Sequence, residues 1–371
     1  MDFSYLIEAV SVLTLPQVAM WFIGGLLIYL AIKKDMEPAL LLPMGFGAIL
    51  VNLPMSPVIN EGTGIISSLF KVGIEASEAF PLLLFIGIGA MIDFGPLLSN
   101  PKLFILGGAA QFGIFVTILL AAVIGFPMID AASIGIIGAA DGPTAIHVAN
   151  TLGSNFIGPI LVVAYSYMAL VPIVQPVIIK ACTTKKERMI RMKYASGDVS
   201  KTARILFPII VTIVSALIAP ESLSLVGMLM FGNLIRECGV LNSLSDTAQT
   251  VFSNIITLLL GITISFQMQA DKFLRVETLI IMALGLFAFI FDTFGGVMCA
   301  KIMNLFCKDK INPMVGAAGI SAFPMASRVV QKMGLKEDPT NHLLMHAIGT
   351  NVSGQIASAV VGGLIIKLVM G

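Results

Sequence analysis

Gly138-Ala139-Ala140-Asp141-Gly142-Pro143-Thr144 places one acid among glycine and proline inside a strongly apolar region of the chain. Burying an unpaired carboxylate costs several kcal/mol or more. Glycine and proline at this density exclude a regular helix through the acid. Broken backbone at membrane depth is tolerated only where protein buries it or where it lines a cavity. An acid on such a segment is a candidate cation site in a transporter, and Asp141 is the first residue assigned that role.

The rest of the composition agrees with a membrane reading and excludes a soluble enzyme. Of 371 residues, 57% are hydrophobic and 12% charged, against about 25% charged in a typical soluble domain. The mean hydropathy is +0.98. A net charge of +1 gives no footing for nucleic acid. Cys182, Cys238, Cys299 and Cys307 show neither disulfide nor metal spacing and read as free thiols. Met1 to Leu15 holds two acids and no base, unlike the start of a cleavable signal peptide. No P-loop, GxSxG elbow or zinc spacing is present, so ATP hydrolysis is not expected.

Apolar runs predict spans at 16–32, 38–53, 79–98, 103–126, 156–179, 203–219, 223–238, 250–267, 277–303 and 343–369. The stretches 130–153 and 311–335 are apolar but rich in Gly, Pro, Ser, Asn and Asp, and read as re-entrant or broken. Between Lys180 and Lys201 lie Lys185, Lys186, Arg188, Arg191 and Lys193, which the positive-inside rule places in the cytoplasm. Lys33, Lys34, Lys308 and Lys310 place their helix ends on the same side, with five crossings on each side of the basic loop.

Odd-numbered halves invite a search for an inverted repeat. Residues 135–153 align without gaps on 316–334, matching Gly135/Gly316, Gly138/Gly319, Pro143/Pro324, Ala145/Ala326, Val148/Val329 and Gly153/Gly334. Upstream, Gly89 to Phe94 answers Gly261 to Phe266, and Phe46-Gly47 answers Phe231-Gly232. The expected fold is an all-α polytopic membrane protein with about ten transmembrane helices plus two re-entrant or broken segments in an inverted repeat. Residues 1–179 form the first repeat, 180–202 a basic cytoplasmic linker, and 203–371 the second repeat. Two broken segments would then enter from opposite faces and meet near the midplane, where helix ends and unwound carbonyls coordinate ions.

Candidate residues follow from that geometry. Asp141, with carbonyls and hydroxyls around it, offers the hard oxygen donors that Na+ prefers. Asn312, Gly316, Ser321 and Arg328 fall on the second broken segment. Asn312 precedes Pro313, so a helix cap is its simpler reading, and Ser321 could bond back to its own turn. A guanidinium near the membrane interior calls for an anion, whereas an interfacial Arg328 would merely snorkel. Asn351 and Thr350 sit in a polar island of the last apolar run, and Tyr167 lies in the span after the first broken segment. Asp93, Asp292 and the Arg236–Glu237 pair are expected near span ends, and Lys71, Glu75 and Glu78 on a solvated helix face. His147 and His346 are candidate proton relays against the commoner hydrogen-bonded histidine.

Four stretches resemble a known family: Gly138 to Thr144, Tyr165 to Pro172, Asn312 to Arg328 and His346 to Asn351. They are similar to the membrane β subunit of the sodium-pumping, biotin-dependent decarboxylases, which include the oxaloacetate, methylmalonyl-CoA, glutaconyl-CoA and malonate enzymes. The likeness runs over nearly the whole chain after residue 16. It implies a multi-pass protein of the inner cell membrane that takes carboxybiotin from a carrier protein, releases CO2, drives Na+ outward and consumes a proton. It further implies that Asp141 exchanges Na+ and H+, that Tyr167 and Ser321 help form ion sites or relay the proton, and that Asn312, Gly316, Arg328 and Asn351 complete the sites and the carboxybiotin pocket. Implied partners are a carboxyltransferase α subunit, a biotin carrier protein and a small membrane anchor subunit, in a lipid bilayer, with a homo-oligomer left open. The chain carries no Ala/Val-Met-Lys-Met/Ala biotinylation site of its own. Two other classes fit the physical features: a secondary Na+/H+ antiporter without decarboxylase activity, and an anchor subunit without transport.

Overall fold

In a bilayer every backbone N–H and C=O must be satisfied within the protein, which leaves helices as the economical fold for long apolar runs. The computed structural model describes residues 11–192 and 199–371, and among them the regular elements are all helical. Lys193 of the basic loop and the start of the chain before Ser11 lie outside the described residues. We number the principal helices α1 Leu15–Lys34, α2 Pro38–Val51, α3 Ile65–Glu75, α4 Ala79–Met91, α5 Leu103–Ile124, α6 Met128–Ala139, α7 Gly142–Thr151 and α8 Ile157–Cys182. The second half continues with α9 Lys201–Ile218, α10 Leu223–Glu237, α11 Asn242–Met268, α12 Val276–Phe306, α13 Pro313–Ala317, α14 Met325–Glu337 and α15 Leu344–Met370.

All ten predicted spans fall on helices, but not all are of spanning length. Six helices (α1, α5, α9, α11, α12 and α15) are long and apolar enough to cross a membrane, and eight spans result if the bent pairs α3–α4 (65°) and the two halves of α8 (69°) each count as one. The helices in the predicted 38–53 and 223–238 spans have only 14 and 15 residues. The bend in α8 has a local cause: Pro172 has no N–H for the carbonyl four residues earlier and crowds it.

Helices pack in corresponding pairs. α1 lies on α2 as α9 lies on α10, and α2 lies on α11 as α10 lies on α4. Likewise α5 meets α6 as α12 meets α13, and α8 meets α12 as α15 meets α5. Without a hydrophobic drive between helices in lipid, such contacts depend on small residues that let backbones approach. At the α12–α13 crossing, a Cβ on Gly296 would collide with the carbonyl oxygen of Gly316, and one on Gly316 with that of Gly296. Gly316→Ala is therefore expected to push these helices apart and to destabilise the protein by about 1–3 kcal/mol. Thermal unfolding in detergent checks this, and an unchanged midpoint would contradict the crossing.

The two broken segments are hairpins with both ends on one face. At the start of α6, Asp130 accepts bonds from Ser154 Oγ (2.7 Å) and the Asn155 amide (2.9 Å), just beyond the end of α7. At the second hairpin, Asn312, before α13, donates to the Arg188 and Ile190 carbonyls (2.8 Å each). Arg188 and Arg191 pair with Glu337 and Asp338 at the end of α14, at 2.7 Å each. The first hairpin is thus tied beside the start of α8 and the second just past its end. They approach from opposite ends of α8, and their tips touch: the Ser321 amide donates to the Ala139 carbonyl at 2.9 Å.

Candidate functional site

The first tip is built by a change of backbone conformation over six residues. Ile136–Ala139 tightens into a 3-10 turn, Ala140 takes φ +52, and Asp141 is extended as the residue that caps α7. Left-handed backbone costs a residue with a Cβ about 1–2 kcal/mol, so Ala140 marks where regular structure is surrendered. Pro143 then starts α7 at a position where its missing N–H is no loss. The break leaves the Asp141 carboxylate 3% exposed. Its Oδ2 accepts from Thr144 Oγ1 at 2.5 Å and from Ser358 Oγ of α15 at 3.1 Å. The ring of Tyr165, on α8, lies flat enough against Gly142 that any Cβ there would strike it.

At the second tip, five consecutive carbonyls each receive a carboxamide N–H. Gln175 Nε2 reaches Ala317 (2.7 Å), Asn351 Nδ2 reaches Ala318 (2.9 Å) and Ile320 (2.6 Å), Gln111 Nε2 reaches Gly319 (3.2 Å), and Gln355 Nε2 reaches Ser321. These donors come from α5, α8 and α15 and replace the helical bonds that the break removes. The side-chain oxygens of all four amides are buried and have no partner among the described residues. Ser321 Oγ donates to the Gly354 carbonyl at 3.0 Å. Asn351, Gln355 and Ser358 recur at i, i+4 and i+7, so one stripe of α15 runs from the second tip to Asp141.

The residues expected from sequence divide accordingly. Asp141, Ser321 and Asn351 meet at the junction of the tips. Gly316 lies at the close crossing of α13 with Gly296 of α12. Asn312 caps α13, with Oδ1 accepting from the Met314 amide (3.0 Å), and both its N–H groups anchor the basic loop away from Asp141. Tyr167 points to α12 and donates to the Met282 carbonyl, so it is Tyr165 that stands beside Asp141. Arg328 is exposed on α14 rather than sunk in the interior, its side chain making no hydrogen bond or ion pair among the described residues, and Glu37 is an acid within its electrostatic reach.

Two other expectations change. Glu78 is not on a solvated face: it is buried, 2.6 Å from His147 Nδ1, and also accepts from Asn150 at 2.8 Å. Asp292 is not near a span end but mid-way along α12 and 0% exposed. The bases of the loop are partly committed, since Arg188 and Arg191 hold the end of α14. Asp93 does lie near helix ends, with Arg204 at 3.1 Å, as does the Arg236–Glu237 pair. The four cysteines are free.

Sequence reasoning passed over Thr144, Ser358, Gln111, Gln175 and Gln355. The available signal was an uncharged polar side chain inside an apolar run, where a membrane helix has no solvent to satisfy it. The donor set is oxygen throughout, and no group of three or more His, Cys, Asp or Glu that could hold a metal ion occurs among the described residues.

Known proteins carry related sequences. A family model described as the beta subunit of Na+-transporting oxaloacetate decarboxylase matches residues 16–369. The chain is 49% identical to a methylmalonyl-CoA decarboxylase subunit beta of Propionigenium modestum, covering 96% of this chain and 95% of that protein. It is 45% identical to a probable oxaloacetate decarboxylase beta chain of Vibrio cholerae and 43% identical to the oxaloacetate decarboxylase beta chain of Klebsiella pneumoniae, with 95% of each chain covered in both cases. With its polytopic helical fold and a buried acid at the junction of two hairpins, the chain belongs to the family of membrane beta subunits of Na+-transporting decarboxylases.

Proposed function

We propose that this subunit releases CO2 from carboxybiotin presented by a carrier protein and couples that step to outward Na+ movement, with one proton consumed. The observation that carries this reading is the junction itself: two hairpins from opposite ends of α8 meet at Ala139 and Ser321, beside a buried carboxylate. Such a junction can be opened to one face at a time by moving one hairpin against the rest. Asp141 is the exchanging acid, which Na+ or H+ can occupy but not both. Thr144, Ser358, Ser321 and the free amide oxygens of Asn351 and Gln355 supply further oxygens. Tyr165 takes the place that the resemblance gave to Tyr167.

Loss of CO2 from a ureido nitrogen leaves that nitrogen in need of a proton, and an acid at the junction can supply it. Arg328 fits a different task from ion binding. Exposed on α14, it can meet the carboxylate of the incoming group at the mouth of the second hairpin. The basic-loop end of the hairpin is then the cytoplasmic face, and the two halves are an inverted repeat divided at 180–202. Names of the relatives as beta subunits support assembly with further chains: a carboxyltransferase, the biotin carrier and a small membrane anchor.

The test is CO2 release and 22Na+ uptake by the reconstituted complex in inverted vesicles. CO2 release that requires Na+ and moves it into the vesicles is expected. Sodium movement without any decarboxylation by the carrier-bound substrate would instead mark an antiporter.

A further inference from the structure

Asp292 has no part in the function described so far, yet it is the more deeply buried of two acids at the hairpin junction. α5 is interrupted at Ala110–Gln111, and the freed amides of its second half need acceptors. Asp292 Oδ1 accepts from Gly113 at 2.5 Å and from Ile114 at 3.2 Å. Its Oδ2 is buried with no hydrogen-bond partner among the described residues. That oxygen rests on the first hairpin: a Cβ on Gly138 would come within 2.5 Å of it. Gly138 is three residues before Asp141 and next to Ala139, whose carbonyl receives the Ser321 amide.

The sequence spacing gives Asp292 a counterpart. Gln111 and Asp292 are separated by 181 residues, the same spacing that relates Gly138 to Gly319. Each side chain reaches from the long helix of one half to the tip glycine of the other half. Gln111 does so with an amide N–H on the Gly319 carbonyl. At the matching place, a carboxyl group has a donor to offer only when it carries a proton.

We propose that Asp292 is a second proton-binding carboxylate of the ion path, protonated on Oδ2 while the first hairpin is seated and releasing that proton when the hairpin moves. The step is simple addition or loss of H+ at Oδ2, with no other bond changed. A bare anion at Oδ2 would face Gly138 without any donor, a cost that one proton removes. A Na+ ion would need several oxygens there, whereas a proton needs Oδ2 alone. The titratable side chains on the surrounding elements are Asp130, Asp141 and His147 on the first hairpin and Tyr165, Tyr167, Lys180 and Cys182 on α8, while α5 and α13 carry none. The inference builds on the proposed exchange of Na+ and H+ at Asp141.

Infrared difference spectroscopy of the reconstituted complex, on a pH step and on adding Na+, tests it. Two acid carbonyl bands should disappear on raising pH in the wild type, of which one remains in Asp141→Asn and is missing from Asp292→Asn, where the Asp141 band is kept. Asparagine can keep the two bonds to Gly113 and Ile114, so this variant should assemble. A spectrum of Asp292→Asn that retains every acid band of the wild type overturns the proposal and leaves Asp292 a permanently ionised cap. Should Asp292→Asn not assemble, Asp141→Asn decides alone: loss of all pH-sensitive acid bands there overturns the proposal. Failure of the transport reading shows separately, as a wild type whose Asp141 band ignores Na+.

Discussion

Asp141→Asn is expected to abolish Na+-dependent CO2 release, lowering it by about a hundredfold or more if the acid also supplies the consumed proton, while leaving the fold intact. The structure explains both halves of that expectation. Oδ2 is an acceptor for Thr144 and Ser358, and an asparagine carbonyl oxygen can accept the same two bonds. What it cannot do is carry the negative charge that attracts Na+ or the proton that Na+ displaces. Thr144→Val and Ser358→Ala should act more mildly. Each removes one bond to an ionised group, worth about 1.5–3 kcal/mol, so each should weaken apparent Na+ affinity by roughly ten- to a hundredfold rather than end turnover. Measured Na+ dependence of CO2 release beside thermal unfolding separates these outcomes. Sodium dependence surviving in Asp141→Asn would move the coupling site elsewhere and leave this acid a structural cap.

The fold and the site were legible in the sequence to different degrees. Broken segments announce themselves by composition, because glycine and proline set backbone shape whatever surrounds them. The acid at 141 stood out for the same reason. Side-chain direction was not legible. Tyr165 and Tyr167 are two residues apart, and on a helix they point about 200° apart, so the choice between them depends on how α8 is rotated against α7. The exposure of Arg328 stayed open for a related cause: α14 is amphipathic, and only packing reveals which face meets the tips. Asp292 was assigned to a span end because a charge in a long apolar run is cheapest there. The interruption of α5 supplied the amides that hold it mid-helix, and the break at Ala110–Gln111, though flanked by Gly107, Gly108 and Gly113, has no proline or acid to mark it. The glutamines escaped notice because none of them carries a charge or shapes the backbone. Their role is collective, as donors to one unwound stretch of backbone.

Asn351→Leu tests that collective role and should be the most destabilising single change at the junction. Asn351 Nδ2 serves both the Ala318 and the Ile320 carbonyls. Leucine has the same branched skeleton with bulkier methyls and no donor, so both carbonyls would stay buried and unsatisfied. At about 1–3 kcal/mol for each orphaned group, the loss comes to roughly 2–6 kcal/mol, comparable with much of the stability of an ordinary domain. Asn351→Asp provides the contrast. An ionised aspartate also lacks the donor and adds a charge beside carbonyl oxygens, so it should be no better tolerated, whereas a protonated one restores a single N–H-like contact and partial stability at acid pH. Thermal unfolding of detergent-solubilised protein, with and without Na+, measures the effect. If the amide served only to fix the hairpin, Asn351→Leu would unfold earlier by the same margin in both conditions. Because its free Oδ1 belongs to the oxygen set at the tips, the stabilisation that Na+ gives the wild type should also shrink. A leucine variant that is as stable as wild type would mean that the second hairpin is held by other contacts, and the junction would lose its structural basis.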